Sequence, residues 1–332
     1  MSGVLPPVER LRPGLWTIPV PLPNSSLRYV FVYLFETDEG AYIVDAGWNT
    51  NDAFDALSAG LAKAGYEMAD VRGVMVTHIH PDHYGLAGRV KEASGAWISL
   101  HPSDAALIDS RYGRPDELMA EMGRLLARWG APDDEAAELV SAAMPVRPLV
   151  DLVTPDVLLE DGDRPEVPGW DLSAIWTPGH SPGHLCFWEP TNRLLLAGDH
   201  VLPRITPNIP FHAQSGANPL SDFLRSLDKV GEYDADEVLP AHEYRFVDLQ
   251  GRLTELRAHH QERFDEICEA LDDGGATAWS LAGTLRWSRP WDQITGFMRR
   301  AAVAETMAHL RELEVRGVLV ATDGEPAVWS RR

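Results

Sequence analysis

Thr77-His78-Ile79-His80-Pro81-Asp82-His83-Tyr84-Gly85 packs three imidazoles and a carboxylate into the run from His78 to His83. A β-prone run, Val74 to Thr77, leads in, and an apolar-periodic segment, Tyr84 to Ala93, reads as a helix leading out. Side chains two apart in an extended segment share a face, so His78 and His80 can reach one metal ion. Pro81 breaks the regular backbone. Asp82 and His83 then fall in the turn into the helix, where adjacent side chains diverge, and can address a second ion nearby. A lone histidine is best read as a hydrogen-bonded residue of no special role. Imidazoles and a carboxylate at this density suit a transition metal, with zinc the default and iron or manganese the alternatives. A catalytic zinc keeps three protein ligands and one open position, so this cluster is too large for one such ion and too small for two. Further ligands are expected elsewhere in the chain.

They are found at the ends of β-prone runs. His180 sits in Thr177-Pro178-Gly179-His180-Ser181-Pro182-Gly183-His184, a Pro/Gly-bounded loop after a strand over 171–176. The run from Arg193 to Ala197 ends in Gly198-Asp199-His200, placing a carboxylate able to bridge two ions at a strand terminus. The run from Glu237 delivers His242. The candidate set is therefore His78, His80, Asp82, His83, His180, Asp199 and His242. Two sets of three ligands sharing one carboxylate would leave water open between the ions, as two-metal hydrolysis requires. His184 reads as a support of the His180 loop, His200 as pointing away, His101 as an ordinary surface or cap histidine and His212 as a pocket wall. Asp45, at a strand end before a glycine turn, is either a simple turn cap or a partner that holds the metal loop. Tyr84 reads as helix packing, with donation to an oxyanion as the alternative.

The remaining pattern alternates strands with helices, which implies α/β layering. Strands are expected at 15–20, 28–36, 41–44, 71–77, 97–100, 156–159 and 184–188. Helices are expected at 51–65, capped by Asn51 or Asp52, and at 220–230. Residues 1–14 are Pro-rich and read as a surface wrap, and Asn24-Ser25-Ser26 as a turn. Residues 102–150 differ in character. They read as helices over 103–109, 116–129 and 133–143, broken by Pro115, Pro132 and Pro145, with Met119, Met122, Leu125, Leu126 and Trp129 along one face. This insertion is read as a lid shaping a substrate pocket, with a helical insertion packed on the core as the alternative.

At 332 residues and 45% hydrophobic, the chain can bury a large core. No apolar run is long enough to span a membrane, and the N-terminus shows no basic region followed by an apolar stretch, so no secretory signal is read. Cys186 and Cys268 lie far apart and form no CxxC motif, which fits a reducing, cytoplasmic compartment. The formal net charge of −21 opposes nucleic acid and anionic lipid as partners.

With HxHxDH at His78–His83, Gly179-His180, Gly198-Asp199 and Ala241-His242 in that order, the chain resembles the metallo-β-lactamase superfamily over residues 15–245. The resemblance implies a four-layer αββα sandwich with a dinuclear site at one edge. It also implies His78, His80 and His180 on one ion, Asp82, His83 and His242 on the other, and Asp199 bridging. That layout is nearest to the glyoxalase II type. A classical β-lactamase would offer a cysteine near the bridging position, where this chain has Asp199.

Residues 1–249 are thus read as the catalytic domain and 250–332 as a small C-terminal domain. The latter shows helices over 251–271, 278–285 (capped by Thr277) and 301–315, then strands near 317–320 and Val328, a winged-helix-like outline. It resembles, over a shorter stretch, the C-terminal domain of the mitochondrial β-lactamase-like endoribonuclease group. Its cations are eleven arginines and no lysine against thirteen Asp and Glu, so the segment is read as a packing or homodimerising element rather than a nucleic-acid wing. The expected activity is a metal-dependent hydrolase using a hydroxide activated by two divalent ions, with Asp82 relaying protons. Its expected substrate is a small thioester or ester of the hydroxyacylglutathione kind. The alternatives are an endoribonuclease of single-stranded RNA and a mononuclear iron persulfide dioxygenase.

Overall fold

The strand Tyr29–Thr37 faces two cores at once. Val30, Val32 and Leu34 enter one, and Phe31, Tyr33 and Phe35 the other. Such an uninterrupted apolar run marks a strand covered on both faces, and the layers follow from it. The computed structural model describes residues 5–23, 25–141, 147–272 and 274–332. Met1–Val4 of the expected surface wrap, Asn24 of the expected turn, and residues 142–146, which hold Ala143 and Pro145, lie outside the described residues.

The first sheet has seven strands in sequence order: β1 (Glu9–Arg12), β2 (Leu15–Pro21), β3 (Tyr29–Thr37), β4 (Gly40–Val44), β5 (Val71–Met75), β6 (Trp97–Leu100) and β7 (Val157–Leu158). The first four pair antiparallel, and β4 to β7 run parallel. The second sheet, ordered β11-β10-β9-β8, comprises β8 (Ser173–Trp176), β9 (Leu185–Glu189), β10 (Leu194–Gly198) and β11 (Glu237–Pro240). The sheets enclose Phe31, Tyr33, Val44 and Met75 from one side and Phe187, Leu194, Leu196 and Leu239 from the other. Helices α1 (Asn51–Ala64), α2 (Pro81–Tyr84) and α3 (Ala87–Ser94) follow in the first half, and α1 and α3 cover the outer face of the first sheet through Leu57, Leu61 and Val90. This is the αββα sandwich.

The insertion contributes α4 (Pro102–Ala105), a π-helical turn at Asp109–Gly113, α5 (Pro115–Arg128) and α6 (Asp133–Ser141). Beyond it lie α7 (Pro219–Val230), α8 (Leu249–Ala270), α9 (Ala278–Thr284) and α10 (Gly296–Val315), and then the antiparallel pair β12 (Leu319–Ala321) and β13 (Trp329–Arg331). Ala276 bridges to Trp329, so a short extended piece between α8 and α9 joins that pair. Leu126, Trp129 and Leu139 of the insertion, Phe223 of α7, Leu253 of α8 and Leu310 of α10 share one core with Ile175, Leu195 and Val238 of the second sheet. The C-terminal helices thus help form the outer layer of the sandwich.

Several local expectations shift. Glu9–Arg12, expected to wrap the surface, pairs as an edge strand instead. Thr50, not Asn51 or Asp52, caps α1, its side chain accepting the Ala53 amide. The helix expected over 84–93 begins at Pro81, whose missing N–H suits a first helical position, and is interrupted at Gly85-Leu86. A Cβ on Gly85 would sit 2.3 Å from the Pro81 carbonyl oxygen and 2.4 Å from that of Leu149, so only glycine fits there. The expected helix over 103–109 is a single α-turn followed by the π-turn.

Candidate metal centre

Five candidate ligands lie beyond the C-terminal ends of strands, and Asp82 and His83 lie on the short helix α2 that follows β5. His78 and His80 follow β5, His180 follows β8, Asp199 follows β10 and His242 follows β11. Because β4, β5, β10 and β11 open at the same edge of the sandwich, their ends converge. Two backbone hydrogen bonds stitch that edge: the Leu185 amide donates to the Thr77 carbonyl at 2.7 Å, and the Phe31 amide to Ala241 at 2.7 Å.

The donor atoms form two groups on either side of Asp199. His78, His80 and His180 bring one ring nitrogen each within 4.8 Å of one another, and the donor atoms of Asp82, His83 and His242 do the same. In the first group His78 Nε2 lies 3.0 Å from His80 Nδ1. In the second, His242 Nε2 lies 3.3 Å from Asp82 Oδ2, and His83 Nε2 lies 3.7 Å from it. Asp199 reaches both groups. Its Oδ2 is 3.5 Å from His180 Nε2 and 3.6 Å from His83 Nε2, while Oδ1 is 3.2 Å from His242 Nε2. The seven residues named from the sequence meet at one place.

The far side of each ring fixes which nitrogen faces inward. His83 Nδ1 donates to Asp45 at 2.7 Å, His180 Nδ1 to the Asn208 carbonyl at 2.8 Å, and His242 Nδ1 to the Tyr29 carbonyl at 2.9 Å. His78 Nδ1 meets the Thr77 hydroxyl at 3.0 Å, and that hydroxyl donates to Asp45. With the Nδ1 protons of His83, His180 and His242 engaged, each of their Nε2 atoms presents a lone pair inward, the tautomer a metal ligand needs. His83 Nε2, His180 Nε2, His242 Nε2 and Asp199 Oδ1 are buried without a hydrogen-bond partner among the described residues. An unsatisfied buried polar atom costs on the order of 1–3 kcal/mol. Four of them converging with carboxylates fit a cation and little else.

The electrostatics agree. Burial, then the neighbouring imidazoles, push His78 and His80 well below the ordinary histidine value. Burial also lowers His180, against the pull of Asp199. These rings stay neutral, ready to coordinate. Burial opposes the charged form of Asp199, yet His242 and His83 hold its carboxyl well below the usual range. Burial likewise opposes protonation of His242, but Asp199 and Asp82 overcome it and raise the ring to about 10. A proton there occupies the place a metal cation would take.

The supporting residues divide into those legible in sequence and those not. Asp45 accepts from the Thr77 amide at 2.8 Å, from the Thr77 hydroxyl and from His83, so it holds the metal loop rather than capping its own turn. His184 supports its loop: Nδ1 meets Thr177 Oγ1 at 2.8 Å, and Nε2 accepts the Asp199 amide at 3.1 Å. His200 lies outside both donor groups, against Phe223. His101 caps α4 and stacks on Trp176 with centroids 5.0 Å apart, so it is a cap but buried rather than at the surface. Tyr84 is buried with its hydroxyl on the Val153 carbonyl, which removes it as an oxyanion donor. Asp104 is the residue that sequence reasoning misses. Fully buried, it accepts the Ile79 amide at 2.9 Å, the Gly183 amide at 2.7 Å and the Ser181 hydroxyl at 2.8 Å. It thereby ties the His78–His80 segment to the His180 loop. In sequence it reads as one more acid in a first helical turn, favoured there by the helix dipole.

The metallo-beta-lactamase superfamily profile matches residues 26–242. The chain is 26% identical to a probable metallo-hydrolase, YqjP, of Bacillus subtilis over 277 residues, covering 81% of this chain and 83% of that one. It is 26% identical over 286 residues to an atrochrysone carboxyl ACP thioesterase of Cryptosporiopsis sp., covering 85% and 71% of the two chains. The crystal structure of a metallo-beta-lactamase family protein from Thermus thermophilus superposes with a TM-score of 0.83 at 34% identity, over 97% of this chain and all of that one. Profile, relatives and donor geometry agree: this chain belongs to the metallo-beta-lactamase superfamily and is a metal-dependent hydrolase.

Proposed function

We propose that His78, His80 and His180 hold one divalent ion, that Asp82, His83 and His242 hold a second, and that Asp199 is shared. Zinc is the favoured metal on ligand chemistry. The substrate class we propose is a small thioester or ester. The observation that carries the reading is the convergence of unpartnered buried nitrogens from His83, His180 and His242 on Asp199. The thioesterase among the relatives supports the substrate class.

Two bound ions supply an activated water and positive charge for the oxyanion of an attacked carbonyl. The chain's own part is orientation and proton transfer. Asp45 and Thr77 keep His83 and His78 in the tautomers that face the ions. Asp104 fixes the spacing between the two loops that carry the first donor group. Asp82, whose Oδ2 lies beside His242 Nε2, would pass a proton to the leaving thiolate or alkoxide.

Elemental analysis of the purified protein, combined with a panel of thioester, lactone, β-lactam, phosphodiester and RNA substrates, tests this. The expected result is two divalent ions per chain and thioester or ester turnover that chelation removes and metal restores. A single iron with oxygen uptake, or RNA cleavage weakened steeply by salt, would replace it.

A further inference from the structure

In a chain with 50 acidic residues against 29 lysines and arginines, arginines tend to find carboxylates. Arg263, Arg299, Arg311 and Arg316 of the C-terminal helices all do. Arg111 and Arg300 form no ion pair among the described residues. Arg111 donates to the Gln214 side-chain oxygen at 3.3 Å and lies over the Tyr112 ring. Arg300 donates to the Leu139 carbonyl at 3.5 Å and lies over the Phe297 ring. Both are half-buried.

Their positions relate them to the metal centre and to each other. Arg111 sits on the π-helical turn, whose next residue, Tyr112, donates its hydroxyl to the Ile79 carbonyl at 2.5 Å, between His78 and His80. Gln214 donates to Ser110 at 2.9 Å, and its amide to His212 Nδ1 at 3.0 Å, so His212 lies beside Arg111. The preceding Phe211 amide bonds the Ala304 carbonyl of α10 at 3.0 Å, one helical turn from Arg300. Burial pushes His212 down to about 3, and the charges of Arg111 and Arg300 push in the same direction. Burial, then Arg111, lowers Arg300. Asp104 feels the charge of Arg111, but its oxygens are already taken by Ile79, Gly183 and Ser181. Two like charges thus act across one wall of the centre, with neutral His212 between them and no carboxylate paired to either among the described residues. Guanidinium groups left in that state match an oxyanion, which they bind through paired hydrogen bonds.

We propose that Arg111 and Arg300, flanking His212, form an anion-binding subsite at the rim of the metal centre, and that the substrate carries a carboxylate or phosphate that docks there. The proposal rests on the hydrolase reading above. It narrows the substrate to a thioester or ester with an anionic group remote from the scissile bond, on the acyl side or on the leaving thiol. Binding energy from that remote group would be available to orient the carbonyl.

Three thioesters separate the sources: acetyl-N-acetylcysteamine, succinyl-N-acetylcysteamine and acetyl-4′-phosphopantetheine. The metal-loaded wild type is expected to favour one anionic thioester over the neutral one by about tenfold or more in kcat/KM, the succinyl compound reporting a carboxylate and the pantetheine compound a phosphate. R111Q/R300Q should erase that preference, mainly through KM, and Arg300→Lys should keep most of it. Equal kcat/KM values in the wild type, or a preference untouched by the double substitution, would overturn the subsite. Calorimetric titration of succinate and inorganic phosphate into both metal-loaded proteins reads the subsite without turnover. Affinity should fall about tenfold in the double variant, and equal affinity refutes it. Loss of anion affinity without thioester hydrolysis in the wild type would retain the subsite and reject the thioester reading.

Discussion

Two groups of buried histidines occupy this molecule, and they differ in how many donors converge. At the metal centre each Nδ1 of His83, His180 and His242 is given to a protein oxygen, and each Nε2 is left pointing at Asp199. Between α8 and α10, His309 Nδ1 donates to the Glu305 carbonyl, and His309 Nε2 meets His260 Nδ1 at 3.0 Å. His260 Nε2 is left buried without a partner, but neither ring belongs to a group of three or more converging donors among the described residues. Burial lowers both rings, His309 to about 4. The contrast shows that one unpaired buried nitrogen does not make a metal site: several must converge, with carboxylates among them.

The largest expected effect breaks one group and spares the other. His80→Ala or Asp199→Ala should lower kcat by about three orders of magnitude or more and reduce metal content by elemental analysis. His260→Gln should leave metal content as in the wild type. Full activity in either centre variant, or metal lost from the His260 variant, would erase the distinction.

A smaller effect is expected one step outward. Asp104→Asn keeps the shape but replaces an acceptor with a donor that faces the Ile79 or Gly183 amide. The two loops should separate, and kcat should fall by about 10–100-fold, as for other residues that orient ligands. Metal affinity measured by chelator competition should fall with it. A variant with wild-type metal affinity would confine Asp104 to folding.

These residues also mark where the sequence is readable and where it is not. The His78–His83 cluster is legible because its chemistry is local: density and spacing within one short segment name a metal. His180, Asp199 and His242 are legible as strand-end residues, because strand ends are where an α/β layer opens to a site. Asp45 is visible as a strand-end carboxylate, but its role depends on Thr77 and His83, brought to it across the sheet. Asp104 and the Arg111–Arg300 wall carry no local signal, since their partners arrive only through tertiary packing. The αββα layering follows from strands such as β3 that are apolar on both faces. Residues 103–109 read as one helix because apolar spacing cannot distinguish a continuous helix from an α-turn followed by a π-turn.

The smallest effect concerns stability rather than turnover, and it isolates the His260–His309 pair. His309 is neutral in the fold because burial, reinforced by the charge of Arg263 and by His259, opposes its protonation, while the Glu305 carbonyl and nearby His260 complete its surroundings. Its folded value of about 4 lies below the value near 6.5 of the unfolded chain. Protons therefore favour the unfolded state. The stabilising contribution is complete above pH 6.5 and is lost as pH falls from there toward 4, reaching about 3 kcal/mol. Protonation of the metal ligands also destabilises the fold in acid, so the slope of the wild type alone decides nothing. The difference between wild type and His309→Gln does. Urea unfolding at pH 7.5, 5.5 and 4.5 should show the two proteins converging as pH falls, since the variant has no imidazole there to protonate. Parallel curves would mean that His309 takes up its proton alike in the folded and unfolded chains, and the two histidine groups would then differ less in electrostatics than in how many donors converge.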